Sequence, residues 1–193
     1  MPWEKNFDVD VALLRARETF WERGYDGTSM ADLLDAMGIQ KGSFYATYGS
    51  KREIYDRAMA GYAREVLDGL DALASERSPR EALEAVVAAI LEGCLSEVGS
   101  RGCMVINCAI ELAPSDEDAQ AFVQETFRVH ERFFAKLIRA ARDAGEVSAA
   151  VEPGPTSKAM LALVMGMRVH ARSGAKPALL RTLSRQLLAM LDA

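Results

Sequence analysis

The chain has 193 residues, half of them apolar, a net charge of −5, three cysteines and two histidines. That length allows one large or two small domains with a substantial core. Its longest strong apolar run, Ala159 to Met167, falls well short of the roughly 18 residues a membrane helix needs, the N-terminal residues include acids and no apolar segment, and an odd number of cysteines cannot pair completely, so a cytoplasmic protein without signal peptide, membrane span or disulfide scaffold is expected.

Asp8 is a candidate N-cap for a first helix that runs to Arg23, with Val11, Leu14, Phe20 and Trp21 as apolar positions and Gly24 as its stop. Thr28 or Ser29 caps a second helix, Met30 to Met37, which Gly38 ends because a tight turn favours a residue that tolerates positive φ. A third helix runs from Gln40 or Lys41 to about Tyr48, and Gly49-Ser50 separates it from a fourth that starts at Lys51. The spacing of Ile54, Tyr55, Met59, Tyr62, Val66, Leu70 and Leu73 extends that fourth helix to about residue 75. Ser78-Pro79 opens a fifth through Val98, and Cys103 to Ala113 forms a nearly apolar sixth. Ser115 caps a seventh helix that ends at Gly145, with Asp116, Glu117 and Asp118 at its positive end. Val151 to Pro155 reads as a linker, followed by two last helices, Thr156 to Arg172 and Pro177 to Leu191. The expected fold is all-α: a three-helix head, residues 1–52, and a body of about six helices, residues 53–193.

The second and third helices have the form of a helix-turn-helix, in which one helix braces the other across a DNA groove. Whole-chain acidity is a poor guide to phosphate contact, because the local field decides it. Residues 38–52 hold Lys41, Lys51 and Arg52 and no acid. Lys41, Ser43 and Thr47 offer hydrogen-bonding groups, Gly42 permits close backbone approach, and Tyr45 and Tyr48 are placed to give hydroxyls to phosphates. Lys51 stands at a helix N-terminus, which also attracts phosphate. Phe44 and Tyr55 are expected in the core, while Arg52 and the N-terminal arm with Trp3 and Lys5 are left open.

Phe20, Gly24-Tyr25, Thr28-Ser29, Gly38, Lys41-Gly42-Ser43-Phe44-Tyr45, Tyr48 and Lys51 make residues 12–55 resemble the TetR family of transcriptional repressors. Gln40 departs from the Ser or Thr common there, which weakens the helix cap and alters the base contacts available. The resemblance implies a homodimer that binds a palindromic double-stranded operator and is released by a small-molecule inducer. The DNA-contacting set it suggests is Thr28, Ser29, Gln40, Lys41, Gly42, Ser43, Tyr45, Thr47, Tyr48 and Lys51.

In the body, Cys103, Asn107 and Glu111 recur every four residues and form one polar stripe on an apolar helix. A buried polar group left unpaired costs about 1–3 kcal/mol, so each needs a partner. That partner is either internal, such as the backbone, Arg128 or His130, or a ligand entering the bundle. Residues 101–113 are similar to a segment of a TetR subgroup, some members of which sense electrophiles or small unsaturated acids. A thiol near a helix start and Arg101 is expected to ionise more easily, which makes Cys103 a candidate reactive group and equally a small buried hydrophobe. Phe127, with other aromatics and methionines, is a candidate lining of an adaptable pocket. The apolar stripes of the last two helices, Met160, Leu161, Val164 and Met167, then Leu179, Leu180, Leu183, Leu187, Leu188 and Leu191, suggest a dimer interface.

Two other readings stay open from sequence: an enzyme, and a helical interaction module that does not touch DNA. Against the first, the chain has no Glu-x-x-His, His-Glu-x-x-His, glycine phosphate loop or nucleophile elbow. No cofactor and no metal are expected.

Overall fold

The computed structural model describes residues 7–192, and the arm with Trp3 and Lys5 lies outside them. The regular structure of the described residues is entirely helical, as the periodicity implied: α1 (Val9–Arg23), α2 (Met30–Met37), α3 (Lys41–Tyr48), α4 (Lys51–Ala74), α5 (Pro79–Leu95), α6 (Met104–Glu111), α7 (Glu117–Asp143), α8 (Pro153–Arg172) and α9 (Pro177–Ala189), with a 3-10 turn at Glu97–Arg101.

Local chemistry sets most boundaries. Asp8 accepts the amides of Asp10 and Val11 at the start of α1, and Ser29 with Asp32 forms a capping box at α2. Ser78 with Glu81 does the same at α5, where Pro79 occupies the first turn and needs no N–H partner. Gly38 closes α2 in the left-handed region, φ 67°, and donates to Leu34 and Asp35.

Several expected boundaries differ, and the last helix ends at Ala189 rather than Leu191. The fifth helix stops at Leu95, and the sequence on to Val98 enters the 3-10 turn. The sixth is trimmed to Met104–Glu111, with Cys103 as its N-cap residue. Asp116, not Ser115, caps α7 by accepting from Ala119. The expected linker at Val151–Pro155 is already helix from Pro153, since prolines fit a first helical turn.

The core falls into two clusters. One joins the head to the body: Phe20, Leu33, Phe44 and Tyr48 pack with Ile54, Tyr55 and Met59 of α4 and with Met104, Val105 and Cys108 of α6. The other fills the body, with Leu83 and Val86 of α5, Phe134 and Ile138 of α7, Met160 and Met167 of α8, and Leu180 and Leu187 of α9. α4, about 36 Å long at the usual helical rise, runs from the first cluster to the second. The expected division after residue 52 falls within its first turn, so head and body share one rigid element.

Candidate functional site

α3 is two-faced. Phe44 and Tyr48, one turn apart, are buried, and Phe44 packs edge-on against Tyr45 at a centroid separation of 5.4 Å. Gln40, Lys41, Gly42 and Tyr45 are exposed, with Ser43 and Thr47 half-buried between the two faces. Gln40 gives no side-chain cap, so the first amides of α3 lack a side-chain acceptor. A Cβ at Gly42 would meet nothing within 4 Å, which leaves the backbone open to close approach.

Two expected DNA contacts are corrected. Tyr48 is 1% exposed, and its hydroxyl donates to the Val9 carbonyl at 2.8 Å. Burial pushes that hydroxyl's pKa up and keeps it a donor. Thr28 is also buried, its hydroxyl donating to the Gly24 carbonyl at 2.6 Å. Both side chains are engaged inside the head and shape it. Ser29 is exposed, but its hydroxyl donates to Asp32 as part of the α2 cap. Lys51 is half-buried, its ammonium 4.2 Å from the centre of the Tyr25 ring. Arg52 is ion-paired with Asp116 of α7 and with Asp56, so it ties the head to the body. Its guanidinium holds the Asp116 carboxyl down to about 2.

The polar stripe of α6 opens onto a cleft of about 420 Å³ between α6, α8 and the end of α1. Cys103, Asn107 and Glu111 all line it, together with Ile106, Ile110, Arg23, Arg168 and Arg172. Asn107 donates to the Arg101 carbonyl at 3.0 Å, which meets its need for an internal partner. Glu111 accepts the backbone amides of Tyr25 and Asp26 in the head, at 3.2 and 2.8 Å. Cys103 is half-buried beside Tyr62, while Arg101, expected next to the thiol, turns to the head and lies over Trp21. Phe127 and His130 do not join the cleft. Phe127 packs on the first core cluster, and His130 shares a 2.9 Å hydrogen bond with the Thr126 carbonyl while burial lowers its pKa.

Arg168 is the residue that sequence reading missed. Among the described residues it has no ion-pair or hydrogen-bond partner, and its guanidinium rests where a Cβ on Gly93 would be 3.1 Å away. The available signal was a cation closing the apolar run of α8. Ile110, 68% exposed, and Val169, 45% exposed, stand beside it in the cleft. The described residues contain no group of three or more metal-ligating side chains, and no helix of the structure is long and apolar enough to cross a membrane.

The stripes of α8 and α9 are only partly available. Met160, Met167, Leu180, Leu187 and Leu191 are buried within the chain, whereas Leu161, Val164, Leu183 and Leu188 are half-buried and Leu179 is exposed.

Residues 12–58 match the model of bacterial regulatory proteins of the tetR family, and residues 79–187 match the tetracyclin repressor-like C-terminal domain. The chain is 35% identical over 150 residues to an uncharacterized HTH-type transcriptional regulator, YezE of Bacillus subtilis, covering 75% of each chain. It is 29% identical over 175 residues to the HTH-type transcriptional repressor ComR of Escherichia coli, covering 89% of this chain and 82% of that one. Among solved structures it is similar to a cysteine variant of the TetR family regulator CifR complexed with 26-base-pair operator DNA. The TM-score is 0.84 at 27% identity, over 96% of this chain and 97% of the other.

Proposed function

The chain belongs to the TetR family of bacterial regulatory proteins and is a transcriptional regulator, not an enzyme; we propose that it is a repressor that binds a palindromic operator as a homodimer and leaves it when a small molecule occupies the body. The observation that carries the DNA reading is the outward face of α3. It presents Gln40, Lys41, Gly42 and Tyr45 beside uncapped amides, in a stretch without acids from residue 38 to residue 52. Such a helix start suits phosphate, and the side chains behind it suit base edges.

The exposed Leu179 and the half-buried Leu161, Val164, Leu183 and Leu188, which pack on the body's core with one side only, support dimerisation through the last two helices. A two-fold axis there would set the heads for half-sites about one helical turn, or a multiple, apart. For the effector, the cleft beside Cys103 and Asn107 is supported by its apolar rim and by the unpaired Arg168, a combination that suits a small molecule with an apolar body and a negative group.

A mobility-shift titration on DNA flanking the chain's own gene tests the central claim. Binding with a steep loss on added salt is expected, because each phosphate contact releases a counterion. Failure to shift any such fragment in dilute salt overturns it.

A further inference from the structure

We infer that Glu111 is a positioning residue for operator recognition: it fixes the head on the body, and with it the separation of half-sites the dimer accepts. The inference rests on the DNA reading but concerns a residue outside the DNA-facing surface. Glu111 ends α6, and both of its carboxylate oxygens are engaged by the head, Oε1 by the Asp26 amide at 2.8 Å and Oε2 by the Tyr25 amide at 3.2 Å. Charged acceptors make the shorter and stronger class of hydrogen bond, and two of them from one carboxylate define direction as well as distance.

The chain accommodates this contact at a cost in sequence freedom. Gly24 takes φ +80°, and a Cβ there would lie 2.5 Å from Oε2 and 2.7 Å from Oε1 of Glu111. A residue with a side chain at position 24 would both strain the backbone and evict the carboxylate. The grip is transmitted because the turn it holds is stiff. The Thr28 hydroxyl donates to the Gly24 carbonyl at 2.6 Å, and the Thr28 amide donates to the Tyr25 carbonyl at 3.3 Å. Ser29 follows directly as the cap of α2, which braces α3. Fixing residues 24–26 therefore fixes the start of the helix pair.

The apolar packing of Met104, Val105 and Cys108 against the head, with the shared helix α4, holds the two together, and Glu111 adds a directional tie at the turn into α2. Other directional ties sit elsewhere: the Trp21 ring N–H donates to the Gly102 carbonyl at 3.2 Å, ahead of α6, Arg17 of α1 pairs with Glu65 of α4, and Arg52 pairs with Asp116 beyond α6. Glu111 is the tie made to the turn that leads into the reading helices. It also walls the cleft, so an occupant beside Asn107 touches the group that holds the head.

The test uses full-length protein and a series of operators that differ only in the spacer between half-sites. Wild-type protein is expected to lose about tenfold or more in affinity when the spacer changes by one base pair. Glu111→Ala is expected to bind the optimal spacer about tenfold more weakly and to flatten that preference to about threefold. Gly24→Ala, which attacks the same contact from the head, is expected to do likewise. If both variants keep the wild-type spacer profile, or lose affinity by the same factor at every spacer, the inference is overturned.

Hydrogen exchange without DNA separates this from failure of the DNA reading. The Tyr25 and Asp26 amides should exchange at least tenfold faster in Glu111→Ala, while the amides of α1 and α4 keep their protection. Unchanged exchange at those two amides overturns the latch whether or not an operator is found.

Discussion

α3 and α6 are helices of the same length, eight residues each, and both carry polar groups at four-residue spacing, yet the structure gives those groups opposite circumstances. On α3 the side chains of Gln40, Lys41 and Tyr45 face outward with no hydrogen-bond or ion-pair partner among the described residues. On α6 Asn107 and Glu111 are engaged inside the chain, Asn107 by the Arg101 carbonyl and Glu111 by two amides of the head. A polar stripe thus marks either a surface awaiting a partner or a joint already made. Spacing alone does not separate the two; the presence of an internal acceptor or donor does.

The comparison is broken most severely at the inner face of α3. Tyr48→Ala removes a buried aromatic and the Val9 hydrogen bond, and should cost about 3–5 kcal/mol in chemical denaturation. Tyr45→Ala, three residues earlier and 44% exposed, should leave stability within about 0.5 kcal/mol while weakening operator binding. Equal stability losses in the two variants would refute the assignment of faces. Tyr48→Phe, which keeps the ring and deletes the hydroxyl, should fall between them at about 1 kcal/mol.

Next in size is the outward charge. Lys41→Ala should reduce operator affinity about tenfold at low salt and lower the slope of log affinity against log salt by about 0.9, the share of one phosphate contact. The same substitution should leave the melting temperature unchanged. An unaltered slope would remove Lys41 from the phosphate contacts. A smaller effect is expected in the cleft, where Cys103→Ser should blunt release of operator by thiol-reactive compounds and leave binding in their absence intact. A normal response in that variant would reject thiol sensing and leave non-covalent occupancy of the cleft.

Much of this was legible in the residues. The helix starts marked by Asp8, Ser50 and Ser78 and the stop at Gly38 are local chemistry, and the structure places them where that chemistry implies. The stripe of Cys103, Asn107 and Glu111 does line one surface, because four-residue spacing is a property of the helix and needs no tertiary information. What failed were questions of partner. Tyr48 and Tyr45 are the same residue type on one helix, and only the tertiary packing of α1 decides which hydroxyl meets the Val9 carbonyl. Thr28 and Ser29 are adjacent candidate caps, and the backbone geometry hands the cap to Ser29. Phe127 and His130 lie on α7, no residue of which lines the cleft. Arg168 was invisible for the converse reason, since an unpaired cation is recognised by what surrounds it.

The smallest predicted effect concerns another directional tie between head and body, the Arg52–Asp116 pair. Asp116 caps α7 through the Ala119 amide at 2.8 Å and at the same time receives Arg52. Asp116→Asn keeps an oxygen for the cap and removes the charge pair, so it isolates the electrostatic part. The folded-state pKa of Asp116, about 2, lies below the ordinary value of 3.8, chiefly because of the hydrogen bond from Arg52. A depressed carboxylate contributes stability that is fully present above its unfolded pKa and is lost as pH falls through the folded one. The melting temperature of the wild type should therefore exceed that of the variant by a small, constant margin from pH 5 to pH 8. The margin should shrink below about pH 4 and vanish only below pH 2, once the folded-state carboxyl is protonated as well. Because the pair is open to solvent, it should also narrow at high salt. A margin that persists well below pH 2 would show that the carboxylate charge is not its source and would remove the ion pair from the joint.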